Sequence, residues 1–231
     1  HQAYFQAEYE MLNSIRAYEK PIIVILDGYV LGGGFGLAQA CHVLVSSEKS
    51  RFAMPETAIG FFPDVAATHF LSRLDDIGVY MATTGDQISA SDALYLDLID
   101  YHVPSEQLVQ LEEELRNSKQ LSKENIEQLI AKYPIDSIED GMDEQLIAKD
   151  ITRPAESELS QNADLIRKHF GFESIDAIEN SLENEQHNDA QVWALKIRNT
   201  LEQRSPIAKR ISLQLQHLGR GLSLKQCMQI E

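Results

Sequence analysis

Cysteine and basic residues are both scarce in this sequence of 231 residues. Only two cysteines occur, Cys41 and Cys227, with no Cys-x-x-Cys pair and no histidine at ligand spacing. We therefore expect neither a disulfide framework nor a structural zinc site, and a reducing compartment fits this cysteine usage. Lysine and arginine total 20 against 36 aspartates and glutamates, so the formal net charge is -16. This surplus of acid argues against nucleic acid or an anionic membrane surface as a partner, although backbone N–H groups can still hold a small anion.

Long apolar runs are also lacking. The run at residues 21–26 is far shorter than the roughly 18 residues that a transmembrane helix needs. The chain opens at His1 with aromatic and acidic residues, which is unlike a secretory signal peptide. We therefore predict a cytoplasmic protein, with any organelle-targeting segment lying upstream of residue 1.

The first part of the chain alternates strands and helices. Residues 22–26 are a continuous apolar run rich in β-branched side chains, which is typical of a strand buried on both faces of a sheet, and His-Val-Leu-Val-Ser at residues 42–46 predicts a second buried strand. A glycine-rich turn and a short predicted helix at residues 35–40 lie between them. Strand, turn, helix and strand in this order predict a compact right-handed crossover.

The later part of the chain has a different character. After Pro104 the sequence is acidic, almost free of glycine and helical in pattern. Ser205 and Pro206 predict the start of one of these helices, as N-cap and first helical residue. We predict an α/β fold with a core at residues 1–104 and a helical region at residues 105–231.

Three consecutive glycines, Gly32-Gly33-Gly34, form the predicted turn between strand and helix. Glycine lets the backbone turn sharply and approach a ligand, and the first turn of a helix leaves N–H groups pointing outward. These groups can hold an anion or a developing oxyanion. The spacing fits neither a P-loop, because no Gly-Lys-Ser/Thr follows, nor the dinucleotide pattern Gly-x-Gly-x-x-Gly. A purely structural turn is the alternative for this motif alone.

Two carboxylates, Glu56 and Asp64, each follow a proline in a stretch that includes Ile59, Phe61 and Phe62. Apolar surroundings raise the proton affinity of a carboxylate, which suits general acid–base work or the activation of water. The alternative is that each acid caps the start of a helix. Taken alone, the pattern favours capping.

Four segments of the chain, at residues 20–28, 31–38, 52–64 and 84–93, have a shared order and spacing. In this order and spacing they resemble the crotonase superfamily of enoyl-CoA hydratases and isomerases. The similarity covers roughly residues 1–103, and four ordered motifs are far more specific than one. The resemblance implies a partial crotonase-type ββα spiral core followed by a helical C-terminal region.

Within this superfamily, the sequence is most similar to the branch of 3-hydroxyisobutyryl-CoA hydrolases. Hydratases carry a glutamate two residues after the third glycine, where this sequence has Gly36, and usually a glycine at the position of Asp64. The segment Arg204-Ser205-Pro206 also looks like the hydrolase branch. The resemblance therefore implies hydrolysis of 3-hydroxyisobutyryl-CoA to 3-hydroxyisobutyrate and CoA, as in valine catabolism.

The resemblance also implies roles for individual residues. Gly33, with Gly34 beside it, would supply an oxyanion-hole N–H for the thioester carbonyl. Glu56 would be the nucleophile or the general base, and Asp64 would orient or deprotonate water and assist loss of the thiolate. The expected partner is an acyl-CoA substrate, with no metal and no cofactor beyond the CoA of the substrate. The family also allows a homo-oligomer.

The sequence departs from the hydrolase pattern in two respects. Ala66-Ala67-Thr68 stand where three glycines usually follow Pro-Asp-Val, and their methyl groups are expected to narrow the pocket or shift Asp64. The family's N-terminal strands, which supply the second oxyanion N–H and hold the adenine of CoA, are missing. We therefore expect this chain to be a fragment with half of its acyl-CoA site outside it.

Two other functions stay open. One is an enoyl-CoA hydratase or isomerase that uses Glu56 alone, and Gly36 argues against a two-glutamate site. The other is a non-catalytic acyl-CoA-binding homologue, which the presence of both Glu56 and Asp64 disfavours.

Overall fold

The computed structural model describes residues 2–118, 122–133 and 157–231. Contacts group the chain into two compact units, each built from discontinuous segments. The predicted division at residue 104 stays a prediction. The first unit comprises His1–Val30, Leu37–Phe52 and Ile88–Ser160, and the second comprises Leu31–Gly36, Ala53–Gln87 and Gln161–Glu231.

The described residues form short strands and many helices. The strands are β1 Ile23–Leu26, β2 Tyr29–Leu31, β3 Val43–Ser46, β4 Arg51–Ala53, β5 Ile88–Ser89 and β6 Tyr101–His102. The α-helices are α1 Gln2–Arg16, α2 Gly33–Ala40, α3 Ala67–Leu71, α4 Asp76–Thr84, α5 Ala90–Tyr95, α6 Leu108–Asn117, α7 Lys123–Ile130, α8 Glu158–Gln161, α9 Ala163–Phe170, α10 Ile175–Glu183, α11 Asn188–Glu202, α12 Pro206–Gly219 and α13 Leu224–Ile230.

The first unit is built on a parallel sheet with the strand order β1-β3-β6. Every residue of β3 is buried, as expected of a strand covered on both faces. Together with the helices, this sheet confirms the predicted α/β class and the parallel pairing of the two predicted strands. The core on this sheet contains Val43, Val45, Val103, Leu108, Leu111, Leu115, Ile126, Leu129, Ile130 and Tyr133.

The second unit is mainly helical and is centred on α4. Residues Ile77 to Thr84 of this helix are all buried, and α4 packs against α9, α11 and α12. The Phe35 and Phe70 rings, 5.1 Å apart between centroids, join α2 to α3. Ser205 caps α12 by accepting the Ala208 N–H, and Pro206 lies in its first turn, which confirms the predicted helix start.

A polar cluster around the buried Glu185 carboxylate, here called the Glu185 cluster, joins α9 to α10 and to the residues that follow α10. His169 is fully buried, and its Nε2 lies 2.9 Å from the Glu185 carboxylate while its Nδ1 lies 2.8 Å from the Ser181 hydroxyl. Lys168 donates to the same Glu185 oxygen at 2.6 Å. Because every polar atom of His169 is paired, the cluster satisfies the rule that buried polar groups are hydrogen-bonded.

Candidate active site

The glycine turn lies directly against the Glu56 carboxylate in the second unit. Gly32 has φ +52°, and a Cβ on this residue would lie 2.6 Å from Glu56 Oε1. The Gly32 N–H donates to the Ala53 carbonyl at 2.9 Å, which brings the turn beside the segment that leads to Glu56. Only glycine fits here, because the position combines left-handed backbone with the close approach of a carboxylate.

Gly33 and Gly34 begin α2 and are both exposed. A Cβ on either residue would find no atom within 4 Å, so the space beside both is open. Their N–H groups belong to the first helical turn, which has no intrahelical acceptors for them. The geometry is thus compatible with the predicted oxyanion donors, which stay a prediction.

Glu56 is buried, with 7% of its surface exposed, at the start of a 3-10 helix that runs from Glu56 to Ile59. Its Oε2 has no hydrogen-bond partner among the described residues. Burial, together with the nearby charge of Asp64, raises the pKa of Glu56 from 4.5 to about 7. A carboxyl with such a pKa exchanges its proton near neutral pH, as a general base must.

The segment around Glu56 is held by bonds from two other parts of the second unit. The Ser205 N–H donates to the Thr57 carbonyl at 3.0 Å, and the Thr57 hydroxyl donates to the Thr83 carbonyl at 3.2 Å. Arg204 Nε donates to the Thr84 carbonyl at 2.5 Å. Ser205 therefore acts on the site through the backbone next to Glu56, whereas Arg204 binds the last residue of α4.

Asp64 is half-buried, and the negative charge of its carboxylate contributes to the raised pKa of Glu56. Burial raises the pKa of Asp64 as well. Its side chain does not cap α3, because a carboxylate from another part of the chain, Glu231, accepts the Ala66 and Thr68 N–H groups there. Neither the 3-10 helix nor α3 is capped by the side chain of its own N-cap residue. Glu56 lies in the first turn of the 3-10 helix, where the helix dipole favours an acid, so the capping interpretation stays open for this residue.

The turn after Asp64 has an unusual backbone. Val65 and Ala66 have φ values of 51° and 66°, in the left-handed region that favours glycine. Val65 also packs over Gly36: a Cβ at position 36 would lie 2.5 Å from the Val65 carbonyl oxygen. No side chain fits at position 36 beside this turn, so a glutamate cannot occupy it as in a two-glutamate site.

Sequence reasoning identified Gly33, Gly34, Glu56 and Asp64, and all four lie in the second unit. It did not identify Glu231, whose contacts with the Asp64 turn have no local signal. The expected narrowing of the pocket, or shift of Asp64, by Ala66-Ala67-Thr68 stays a prediction, and the structure shows left-handed backbone at Val65 and Ala66. No group of three or more His, Cys, Asp or Glu that could hold a metal ion occurs within residues 2–118, 122–133 and 157–231.

A family model described as enoyl-CoA hydratase/isomerase matches residues 1–231. The chain belongs to this family. It is 34% identical over 231 residues to the 3-hydroxyisobutyryl-CoA hydrolase, mitochondrial, of Xenopus tropicalis, which covers 100% of this chain and 56% of that protein. It is also 29% identical over 226 residues to the small ribosomal subunit protein mS47 of Arabidopsis thaliana, covering 97% of this chain and 52% of that protein.

Solved structures show the same fold. The crystal structure of an enoyl-CoA hydratase from Rhodobacter sphaeroides 2.4.1 superposes with a TM-score of 0.75 at 27% identity, over 98% of this chain and 58% of that one. The crotonase-type fold and the resemblance to the hydrolase branch are thus confirmed. The chain spans about half the length of the curated relatives that it matches. In the part of the chain that the structure describes, no helix has the length and apolarity needed to cross a membrane.

Proposed function

We propose that the protein hydrolyses an acyl-CoA thioester and that the substrate is 3-hydroxyisobutyryl-CoA. The observation that carries the proposal is the buried Glu56 carboxyl, with a pKa of about 7 and one oxygen that accepts no hydrogen bond from the described residues. This carboxyl group lies beside the glycine turn, and the negative charge of Asp64 helps to raise its pKa. Similarity to 3-hydroxyisobutyryl-CoA hydrolases supports the choice of substrate.

The proposed reaction consumes one water and yields a carboxylic acid and the CoA thiol. The N–H groups of Gly33 and Gly34 stabilise the oxyanion that forms on the thioester carbonyl. Glu56 either attacks the carbonyl carbon, so that the thiolate leaves and water then hydrolyses the anhydride formed with Glu56, or it removes a proton from the water that attacks the carbonyl and passes this proton to the leaving thiolate. Asp64 orients the water and assists departure of the thiolate. Both routes require an ionised Glu56.

Release of CoA from 3-hydroxyisobutyryl-CoA, followed with a thiol reagent on the full-length protein, tests the proposal. Glu56→Gln keeps the size of the side chain but removes the base, so we expect the rate to fall by about 10³-fold while acyl-CoA binding persists. Glu113→Gln, which makes the same charge change on the exposed face of α6, should leave the rate unchanged. Undiminished turnover in Glu56→Gln would remove Glu56 from the mechanism.

A non-catalytic role is the second candidate, because one relative is named as a ribosomal protein. The thiol-release assay distinguishes the hydrolase from the non-catalytic homologue, because the latter would bind acyl-CoA without releasing thiol. A one-carboxylate hydratase is the third, and hydration of crotonyl-CoA by the wild-type protein would favour it.

The remaining expectations about partners and location stay proposals. We propose an acyl-CoA as the small-molecule partner, with neither nucleic acid nor membrane, and allow a homo-oligomer. A cytoplasmic location is our prediction, whereas the Xenopus relative is named as mitochondrial. Fractionation of cells that express the full-length protein distinguishes the two compartments.

A further inference from the structure

The carboxylate of Glu231 binds the turn that follows Asp64. Its Oε2 accepts the Ala66 N–H at 2.9 Å, and its Oε1 accepts the Thr68 N–H at 2.7 Å. Both N–H groups belong to the start of α3, where a helix has no acceptors of its own. Thr68 is fully buried, so losing this acceptor would leave a buried donor unpaired.

Glu231 is itself held in place by α13. Ser223 and Gln226 form a capping box at the start of this helix, and the buried Cys227 accepts the Glu231 N–H at 3.2 Å through its carbonyl. Arg73 Nη2 donates to the Leu222 carbonyl at 3.0 Å, which fixes the segment just before the helix. The Glu231 carboxylate is therefore held at the end of α13, whose start and preceding segment are both fixed by hydrogen bonds.

The backbone conformation of the turn that Glu231 binds is unfavourable for the residues that form it. A left-handed conformation is unfavourable for an L-residue other than glycine, and two such residues occur in succession, Val65 and Ala66. Backbone of this kind persists only where its surroundings impose it, and it is concentrated at functional sites. The Glu231 bonds are among the interactions that impose it, because they bind the backbone N–H of Ala66 itself.

The same turn determines two features of the site. It fixes the backbone of Asp64, whose carbonyl accepts the Ala67 N–H at 2.9 Å, and it places Val65 over Gly36. A change in the turn would therefore alter the distance between the two carboxylates without touching either of them.

We propose that Glu231 is a positioning residue of this site, which holds the Val65–Ala66 turn in its left-handed conformation and thereby fixes the position of Asp64 relative to Glu56. The proposal rests on the proposed function, because it assigns Glu231 a part in that reaction. Glu231 touches neither substrate nor reacting atoms in this role.

The test uses Glu231→Gln in the full-length protein, because the amide nitrogen would face one of the two N–H donors. Two readouts are taken: the titration of Glu56 by ¹³C-carboxyl NMR, assigned from its loss in Glu56→Gln, and the kcat and KM for thiol release. We expect Asp64 to move away, so the pKa of Glu56 falls by about half a unit. We expect kcat to fall about 10- to 100-fold with KM changed far less.

A second substitution separates positioning from general stability. Glycine adopts the left-handed conformation without strain, so Ala66→Gly should restore most of the lost kcat in the Glu231→Gln protein. The charge-matched Glu113→Gln should change neither readout. A lower melting temperature with an unchanged Glu56 titration and unchanged kcat would overturn the proposal. If the wild-type protein releases no thiol, the proposed function fails, and the NMR titration still decides whether Glu231 positions Asp64.

Discussion

Val65 occupies the space that a side chain at position 36 would need: a Cβ on Gly36 would lie 2.6 Å from the Val65 Cβ and 2.5 Å from its carbonyl oxygen. Real Cβ atoms do not approach other heavy atoms so closely. The second carboxylate that we propose for the site, Asp64, therefore lies in the loop before Val65 and not on α2. The departure of this chain from a two-glutamate pattern is thus built into the packing as well as into the residue type.

Substitution of Gly36 should disturb this turn and should not create a hydratase. Overpacking a buried position costs about 1–3 kcal/mol, so we expect Gly36→Ala and Gly36→Glu to lower the free energy of unfolding by this amount. We also expect no hydration of crotonyl-CoA by Gly36→Glu, since Val65 blocks the glutamate. Denaturant unfolding and a hydration assay check the two expectations.

Gly34→Ala is the matched control for stability, because a Cβ on Gly34 finds no atom within 4 Å. Equal losses of stability at positions 34 and 36 would contradict the packing argument.

Substitution by glycine should raise the free energy of unfolding at Ala66 and lower it at the neighbouring Ala67. Ala66 has φ 66°, so Ala66→Gly removes the strain of a left-handed alanine and should stabilise the protein by about 0.5–1 kcal/mol. Ala67 begins α3 and is fully buried, so Ala67→Gly should destabilise it by about 1 kcal/mol. Denaturant midpoints measured side by side decide this, and a loss of stability in both variants would argue against strain at Ala66.

Glu56 should cost the folded protein stability at neutral and alkaline pH. Its pKa of about 7, against 4.5 ordinarily, means that the folded state binds the proton more tightly than the unfolded state does. The free energy of unfolding therefore decreases as the pH rises from about 4.5 to above 7. The difference of about 2.5 pKa units corresponds to about 3 kcal/mol. We expect Glu56→Gln to be more stable than the wild type at pH 8 by up to this amount.

Acidic pH provides a control for the comparison of Glu56→Gln with the wild type. Below pH 4.5 Glu56 carries a proton in both states, so the advantage of Glu56→Gln should vanish there. Chemical denaturation of both proteins at pH 4, 6 and 8 measures the trend. A difference between the proteins that does not depend on pH would show that Glu56 is not a buried carboxyl of raised pKa.

The sequence predicts those parts of the fold and site whose patterns lie within a few residues. It does not predict very short strands or contacts between residues far apart in the chain. The apolar run that became β1, and the Ser205 cap, are recognisable because their patterns lie within a few residues. The glycine turn and the two carboxylates are recognisable for the same reason. β2 and β4 have three residues each, too few to show a period. The contact between Ala66 and Glu231 joins residues 165 apart in sequence, and no local pattern encodes it.

The Glu185 cluster allows a prediction about acid stability. The Lys168 ammonium, followed by the backbone and side chain of His187, holds the pKa of Glu185 well below its usual range. A carboxylate of this kind contributes stability that is present above its unfolded pKa and is lost as the pH falls through its folded pKa. We therefore expect part of the acid destabilisation of the wild-type protein to come from Glu185.

Replacement of Glu185 tests this assignment. Glu185→Gln leaves Lys168 without its carboxylate and weakens the bond to the buried His169, so the melting temperature at pH 7 should fall by several degrees. The same variant should lose less stability than the wild type between pH 7 and pH 3, because the group that titrates is gone. Glu183→Gln, on the exposed end of α10 beside Arg198, is the control and should change the melting temperature little. Parallel pH profiles for the wild type and Glu185→Gln would show that another carboxylate governs acid unfolding.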